Sequence, residues 1–397
     1  MDQQHFVSLK SIIKAADNLK DLVIDTPLEL NKRLSQKYNA NIFFKREDLQ
    51  IVRSYKIRGA YNLISSLSES ERHNGITTAS AGNHAQGVAL SAARLNISAT
   101  IFMPKNTPIQ KINKVKKFGG RYVKIELVGD NFDESNDLAL AHAQKTNQVF
   151  IPPFDNDKII SGQATVGLEI LNQTDKPVDY LIIPIGGGGL IAGIISLFKI
   201  KSPTTKIIGV EPENADAMNQ SIQNNKLIKL KNIDTFVDGA AVKQVGQKTF
   251  KIAKSNIEKI IIVSPNHLSH EISELYQEEG IIAEPAGALS VAALESIKQE
   301  IKDKNVVCII SGGNNDINRY KEIIDKSLKH RGLIHHYKIS SLSNLEKLEL
   351  YLEKEINNHA QINIEKINYN NLTVDISISY KSKNDLQAAE NFLKKIS

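Results

Sequence analysis

The stretch Ser54-Tyr-Lys-Ile-Arg-Gly-Ala60 places one lysine, Lys56, between a strand-and-turn segment and the first turn of a helix. Residues 41–49 before it have the pattern of a short strand and a polar turn, and residues 60–67 after it have helical apolar spacing. Desolvation and the positive helix end would lower the pKa of this lysine from its free value of about 10.4. A partly neutral lysine is a carbonyl nucleophile that can form a Schiff base. Because most lysines are only solvated charges, Lys56 is informative only if the rest of the chain supplies a cofactor site.

Strand-like and helix-like segments alternate along most of the chain. Residues 76–79 and 99–103 are predicted strands, and residues 132–146 a predicted helix. This alternating order predicts an α/β fold with parallel sheets covered by helices. After about residue 333 the order changes to strand, helix, two strands and helix, which suits a separate α+β module of about sixty residues.

Composition narrows the class of protein. The chain has 397 residues, of which 41% are hydrophobic and 24% charged, as expected for a soluble globular protein. Its net charge of +6 comes from scattered lysines without interleaved aromatic residues, which argues against a nucleic-acid site. The one cysteine, Cys308, lies in a predicted core strand, and the first residues do not resemble a signal peptide. We therefore expect a cytoplasmic protein.

A run of glycines, Gly186 to Gly189, follows a predicted strand and begins a predicted helix. Backbone N–H groups at such a helix end bind anions, so this loop could hold a phosphate. The spacing Gly187-x-Gly189-x-x-Ala192 also fits the dinucleotide fingerprint, with Glu211 where a ribose-binding acid belongs. From these residues alone, a nicotinamide site is at least as well supported, and a structural glycine turn is the third option. The uncharged run 180–198 therefore reads as strand, loop and helix rather than as a membrane span.

Two further loops follow predicted strands. Residues 78–87 contain Asn83 and His84 at the start of a helix, where backbone N–H groups could bind a carboxylate. Residues 311–315 begin with Ser311 and continue with two glycines, which would let a flat group approach. A nicotinamide dehydrogenase has no obvious need for three such loops and an isolated lysine.

Together these segments resemble the fold-type II pyridoxal 5'-phosphate enzymes, and within them the threonine/serine dehydratases. The resemblance runs from about residue 20 to about residue 325 and implies two open parallel-sheet subdomains covered by helices. It rests on seven stretches in the same order and spacing: Lys45-Arg-Glu-Asp48, residues 54–60, Ala79 to Gly87, Gly186 to Gly189, Phe236 to Val242, Ala283 to Ala288 and Ser311-Gly-Gly-Asn314. The nicotinamide hypothesis explains one of the seven.

The resemblance implies a role for each matching residue. Lys56 resembles the lysine that binds pyridoxal 5'-phosphate and later moves the substrate's α-proton, and Tyr55 would pack against the pyridine ring. Asn83 resembles the hydrogen-bond partner of the ring hydroxyl, and Ser311 would meet the pyridine nitrogen. The phosphate would be held by Gly186, Gly187, Gly188 and Gly189. The substrate carboxylate would be bound by Ser80, Ala81, Gly82, Asn83 and His84.

These implied roles favour one reaction type. A Ser at the ring nitrogen, unlike an Asp, does not hold the pyridine protonated, and this weaker electron sink favours β-elimination over transamination. The resemblance thus implies deamination of L-threonine to 2-oxobutanoate and ammonia, the first step of isoleucine biosynthesis, with L-serine as a second substrate. A serine-preferring dehydratase of the same fold and a non-catalytic amino-acid sensor remain alternatives.

At two positions this sequence differs from relatives that racemise serine or bind a divalent ion. Relatives that racemise serine carry a second Ser in the substrate loop, and Ala81 stands at that position here, so we expect no racemase activity. Some relatives bind a divalent ion near the segment that matches residues 211–217. The last acidic position of that segment is Ala217, so we expect no metal site.

The C-terminal residues resemble the single regulatory domain, related to the ACT fold, of the shorter biosynthetic threonine dehydratases. We expect a catalytic domain at 1–325, with its smaller subdomain at about 50–150, and an ACT-like domain at 326–397. The Pro and Gly usual after the first strand are replaced by Ser340-Ser-Leu-Ser343. The resemblance implies isoleucine as effector and a homotetramer, and a module that has lost its ligand is the alternative.

Overall fold

The chain folds into two compact units. The structure is a computed structural model, and it describes residues 6–339, 342–355, 360–368 and 373–396. The first unit contains residues 1–265 and 278–316, and the second contains residues 266–277 and 317–397. In the described residues, no helix is both long enough and apolar enough to cross a lipid bilayer.

Strands and helices alternate as the sequence pattern predicts. The strands are β1 (Leu28–Leu30), β2 (Asn41–Arg46), β3 (Ile76–Ala79), β4 (Ala99–Met103), β5 (Val123–Leu127), β6 (Val149–Phe150), β7 (Tyr180–Pro184), β8 (Lys206–Pro212), β9 (Lys259–Val263), β10 (Asn305–Ile310), β11 (Ile334–Ile339), β12 (Ala360–Asn368) and β13 (Thr373–Tyr380). The helices are α1 (Leu9–Leu19), α2 (Lys32–Tyr38), α3 (Lys56–Ser65), α4 (Glu69–Asn74), α5 (Asn83–Leu95), α6 (Ile109–Gly119), α7 (Phe132–Thr146), α8 (Asp157–Gln173), α9 (Gly189–Lys201), α10 (Ala217–Gln223), α11 (Gln247–Ala253), α12 (Pro265–Glu279), α13 (Pro285–Ala292), α14 (Tyr320–Arg331), α15 (Leu342–Glu355) and α16 (Lys383–Ile396).

The larger sheet of the first unit has the strand order β1-β2-β10-β7-β8-β9. Only β1 is antiparallel to its neighbour, and the other pairs are parallel. In the register of this sheet, Ile310 lies opposite Arg46 and Cys308 lies opposite Ile182. The loops that follow β2, β10 and β7 therefore leave the same edge of the sheet, and these loops carry three of the predicted motifs.

The smaller sheet has the order β5-β4-β3-β6, and all its strands are parallel. Each sheet has its own apolar core, so the first unit consists of two subdomains. Helix α5 begins a few residues after β3 ends, and the predicted substrate loop joins the two elements. Two open parallel sheets covered by helices confirm the predicted fold class.

Helix α9 shows why the uncharged run 180–198 is not a membrane span. The run forms β7, the glycine loop and most of α9, as predicted. Every side chain of α9 from Leu190 to Phe198 is buried, because α9 packs against α8 and the larger sheet. A helix that is apolar on all sides belongs in the core of a large domain.

The second unit contains an antiparallel sheet with the order β11-β13-β12 and the helices α15 and α16. Its order of elements, strand, helix, two strands and helix, is the one predicted. The core is formed by apolar side chains that include Leu345, Leu348, Ile376 and Ile378. Of the substituted stretch 340–343, residues 340 and 341 lie outside the described residues. Helix α14 and most of α12 also belong to this unit.

Candidate active site

Lys56 is the first residue of α3, and its ammonium lies in a partly buried position. The Nζ atom donates a hydrogen bond to the carbonyl of Pro153 at 3.1 Å and lies 5.5 Å from the centre of the Tyr55 ring. Burial lowers the pKa of Lys56 to about 8, although the nearby Glu284 carboxylate offsets part of this effect. With that pKa, about a tenth of the amine is neutral at pH 7, compared with well under a thousandth of a free lysine.

A buried ion network holds the helix that carries Lys56. The guanidinium of Arg58 donates to both carboxylate oxygens of Glu47, at 2.7 and 2.8 Å, and to both oxygens of Glu169, at 2.5 and 2.8 Å. Lys45 adds a hydrogen bond of 2.6 Å to Glu169. Two cations thus balance two carboxylates, and the planar guanidinium fixes the first turn of α3 against β2 and α8.

The substrate loop lies between β3 and α5. The Oγ of Ser80 accepts a hydrogen bond of 3.2 Å from the amide of Gly82. Apart from the two neighbours of Gly82 in the chain, no atom of the described residues lies within 4 Å of a Cβ placed on it. This open space lies at the N-terminus of α5, where backbone amides can bind a carboxylate. Ala81, the third small residue of the loop, packs against the core of the smaller subdomain.

The side chain of His84 contacts another part of the protein. It is buried, and its Nε2 lies 3.0 Å from the carbonyl oxygen of Ile151. Burial and the charge of Lys56 lower its pKa to about 3, so the ring is neutral at physiological pH. The Nε2 atom of His84 is therefore engaged with Ile151, a contact that the sequence did not indicate.

Asn83 joins the smaller subdomain to the larger one. Its Nδ2 donates to Glu284 at 2.5 Å, and its Oδ1 accepts from Asn314 at 2.7 Å. Glu284 precedes α13, and Asn314 lies in the loop after β10. Burial, followed by the repulsion from Asp238, raises the pKa of Glu284 to about 7. The Asn83 amide is therefore held on two sides by the larger subdomain.

The glycine loop leaves room for an anion at the start of α9. Gly188 has a φ of +91°, which favours glycine over other residues. A Cβ on Gly187 would lie 2.1 Å from the Phe154 ring, and the hydroxyl of Thr249 donates to the Gly187 carbonyl at 2.7 Å. The loop thus needs glycine for both conformation and packing, and its amides precede a long buried helix.

Ser311 is buried and directly follows β10, which pairs with β7, the strand before the glycine loop. Its Oγ donates to the Ala286 carbonyl at 3.2 Å, and its carbonyl accepts from the amide of Tyr55 at 3.2 Å. Ser54 pairs with Gly312 in an isolated bridge. The chain before Lys56 therefore lies against the loop of Ser311.

The donor set fits a flat phosphorylated aldehyde. Lys56 supplies a nucleophilic amine, the loop 186–189 an anion site, and Ser311 a hydroxyl beside a strand end. The family profile for pyridoxal-phosphate dependent enzymes matches residues 19–312, about three quarters of the chain. The chain belongs to the pyridoxal-phosphate dependent enzymes.

Relatives within this family are threonine dehydratases. The biosynthetic L-threonine dehydratase IlvA of Halalkalibacterium halodurans is 50% identical over 331 residues, which cover 83% of this chain and 80% of the relative. That of Staphylococcus aureus strain NCTC 8325 is 48% identical over 388 residues, 96% of this chain and 92% of the relative. The processed form of threonine deaminase isoform 2 from Solanum lycopersicum has a similar structure, with a TM-score of 0.76, 41% identity and coverage of 81% and 90%. The chain is thus a member of the threonine dehydratase branch.

In this member of the pyridoxal-phosphate family, Glu211 has a structural role. Its two carboxylate oxygens accept the amides of Met218 and Asn219 at 2.8 Å each, which caps α10. Burial raises the pKa of Glu211 to about 8. Glu211, which suggested a ribose-binding acid, therefore binds backbone amides of α10 instead. No group of three or more potential metal ligands was found among the described residues.

Several residues around the candidate site were not singled out by the sequence patterns. Pro153 accepts the Lys56 hydrogen bond, Phe154 packs on the glycine loop, and Asp155 accepts the amides of residues 247–249 at the start of α11. This segment has no helical or strand periodicity, so the sequence offered no signal for it. Glu284 lies in a motif that supported the resemblance, but the motif alone gave it no role.

Proposed function

We propose that this chain is a pyridoxal 5'-phosphate-dependent threonine ammonia-lyase that converts L-threonine to 2-oxobutanoate and ammonia. The observation that supports it best is the position of Lys56. Its partly neutral amine donates to the Pro153 carbonyl, next to the Phe154 ring that packs on the glycine loop, and the Tyr55 amide before it donates to the Ser311 carbonyl. The relatives named above are threonine dehydratases. When bound, the cofactor withdraws electrons from the α-carbon of the amino acid and makes its proton acidic.

We assign the protein groups as follows. The amides of Gly186, Gly187, Gly188 and Gly189 hold the cofactor phosphate. Asn83 donates to the ring hydroxyl, Ser311 meets the pyridine nitrogen, and Tyr55 packs beside the ring. The loop of Ser80, Ala81, Gly82, Asn83 and His84 binds the substrate carboxylate.

We assign proton transfer at the α-carbon to Lys56. Its Nζ would take the α-proton of the bound amino acid. The β-hydroxyl group would then leave as water by taking up the proton that Lys56 removed. The unsaturated amine that is released reacts with water to give 2-oxobutanoate and ammonia. Ala81 offers no hydroxyl to return a proton to the opposite face, so we expect no racemisation.

L-Serine is proposed as a second substrate that gives pyruvate. Serine lacks one methyl group of threonine, so a site that fits threonine has room for serine as well. A difference of one methyl group is worth about 10- to 200-fold in specificity. The test is kcat/KM for both amino acids with the purified holoenzyme. Higher kcat/KM for threonine supports the proposal, and a preference for serine would favour the alternative of a serine dehydratase. Inactivity with both, despite bound cofactor, would exclude a dehydratase and favour the amino-acid sensor.

Regulation is proposed for the C-terminal module. We propose a catalytic domain at 1–325, with a smaller subdomain at about 50–150, and an ACT-like regulatory domain at 326–397 that binds isoleucine. The antiparallel sheet with helices α15 and α16 supports this assignment. A homotetramer is proposed on the family resemblance alone. A cytoplasmic location is proposed because the Cys308 thiol is buried and free.

A further inference from the structure

We propose that Lys114 is a positioning residue that orients the Asn83 amide toward the cofactor ring, acting through Asn314. Glu284 accepts the hydrogen bond at the far end of this chain of contacts. The inference rests on the proposed function, because it takes Asn83 as the partner of the ring hydroxyl. It assigns a role in the reaction to Lys114, a residue on α6 that belongs to none of the motifs.

The direction of each hydrogen bond follows from the chemistry of a lysine. An ammonium has donors only, so the atom of Asn314 that faces it must be the amide oxygen, and Nζ to Oδ1 is 2.8 Å. The NH2 group of Asn314 then faces the other way. It donates to the carbonyl of Val52 at 2.8 Å and to Oδ1 of Asn83 at 2.7 Å. Lys114 and the Val52 carbonyl, which can only accept, thus both favour this orientation of the Asn314 amide.

The orientation of Asn83 follows in turn. Its oxygen is directed to Asn314, so its NH2 group points to Glu284, with Nδ2 to Oε1 at 2.5 Å. An amide nitrogen carries two hydrogens, and the Glu284 carboxylate uses one of them. In the part of the chain that the structure describes, no protein atom accepts the other. That hydrogen is available to the ring hydroxyl oxygen, which needs a donor.

The four residues alternate between the two subdomains. Lys114 and Asn83 lie on α6 and α5 of the smaller subdomain, and Asn314 and Glu284 lie in segments of the larger one. Helix α6 makes two more contacts of this kind: Lys111 with Asp238, and Gln110 with Asp316. The chain of hydrogen bonds is therefore complete only when α6 lies against the larger subdomain, and this couples the orientation of Asn83 to the contact between the two subdomains.

The test compares Lys114→Met with Lys116→Met, which removes the same charge from an exposed position on the same helix. The measurements are the dissociation constant of pyridoxal 5'-phosphate and the position of the visible absorption band of the holoenzyme. Because Lys114→Met removes the charge-assisted one of the contacts that orient Asn314, we expect about tenfold weaker cofactor binding and a shifted band for this variant. Lys116→Met should match the wild type, and Lys114→Arg, which also only donates, should restore the band.

A double-mutant cycle separates positioning from a purely structural effect. In an Asn83→Ala background, Lys114→Met should cause no further loss of cofactor affinity. A full tenfold loss in that background, or an unchanged Lys114→Met holoenzyme, overturns the inference. If Asn83→Ala alone leaves affinity and absorption unchanged, the assignment of Asn83 in the proposed function is wrong, and the inference falls with it.

A second variant tests the inference if the Lys114→Met protein does not fold. Asn314→Asp keeps the shape of the side chain but removes the NH2 group that donates to Asn83 and Val52. The inference expects the same band shift and a similar loss of affinity. Unchanged cofactor binding in a folded Asn314→Asp protein would contradict it.

Discussion

At the scale of single residues, the site depends on the environment of Lys56. The sequence analysis named Lys56 as a candidate nucleophile. Burial explains how an ordinary lysine gains this property, because it lowers the pKa of the amine to about 8. Glu284 acts in the opposite direction, since its carboxylate favours the charged ammonium. The balance between the two sets how much free amine the apoprotein presents near neutral pH.

The rate at which the apoprotein takes up the cofactor should therefore depend on pH. Only the neutral amine attacks the aldehyde, so the rate should rise up to a pH of about 8 and then level off. Glu284→Gln should move the midpoint to lower pH, because it removes the charge that raises the Lys56 pKa. Stopped-flow absorbance from pH 6 to about pH 10 measures this rise. A midpoint near 10 would contradict the burial of the amine.

Local sequence patterns predicted where several side chains lie relative to strands and helices but not their partners. Lys56, Asn83 and Ser311 lie at predicted strand and helix ends, and the structure places them there. The pairing of Asn83 with Glu284 joins residues 201 positions apart, and no local pattern encodes it. For the same reason the sequence could not show that the His84 ring is bound to a distant carbonyl.

At the scale of elements, α3 is positioned by charge. Arg58 bonds to two carboxylates, those of Glu47 and Glu169, and of these three groups Arg58 and Glu47 are almost fully buried. Arg58→Met should lower the free energy of unfolding by about 3–5 kcal/mol, because two carboxylates would then share the single charge of Lys45. Urea denaturation measures this loss. Arg121→Met, at an exposed position, is the control and should stay within about 0.5 kcal/mol of the wild type. An equally small change in Arg58→Met would contradict the account.

The glycine loop offers a second test at this scale. Gly187→Ala would place a Cβ 2.1 Å from the Phe154 ring, so the loop must shift and the phosphate site with it. We expect weaker cofactor binding by about tenfold or more, measured by absorbance titration. Phe154→Leu should recover part of this affinity in the double variant, because the smaller side chain makes room. If the double variant bound no better than Gly187→Ala, packing against Phe154 would not be the cause.

Prediction of elements succeeded where local signals are strong. Helix α7 runs from Phe132 to Thr146 as predicted, because Asn131 caps its start and Asn147 adopts a left-handed conformation at its end. Helix α12 was not identified, although Leu268, Ile272 and Leu275 are buried along it. Its apolar stripe is narrow and lies between polar residues, so the pattern is weak without knowledge of its packing partners.

At the scale of the whole molecule, the second unit extends beyond the C-terminal module. Helix α12 shares this unit with α14, where the rings of His267 and His330 stack at 4.7 Å and those of Tyr276 and Tyr320 meet at 6.0 Å. The proposed domain boundary at 325/326 falls inside α14. The sequence could not indicate this grouping, because about forty residues separate the two helices along the chain.

Truncation after Gly332 should separate catalysis from regulation. It removes the antiparallel sheet with α15 and α16 but keeps the ring contacts between α12 and α14. We expect the truncated protein to retain threonine turnover within about threefold, and to lose any shift of the threonine saturation curve by isoleucine. Full-length protein with and without isoleucine is the control. An isoleucine shift that persists after truncation would place the effector site outside the module.

The central claim is that Lys56 carries the cofactor, and chemical fixation tests it most directly. Borohydride reduction of the holoenzyme makes the bond between the amine and the cofactor permanent, and peptide mass spectrometry then locates it. The account predicts the modification on Lys56 in the peptide that contains Ser54 to Arg58, and none in Lys56→Ala. A modification on another lysine, or an unmodified Lys56 in a protein that retains its visible absorbance, would contradict it.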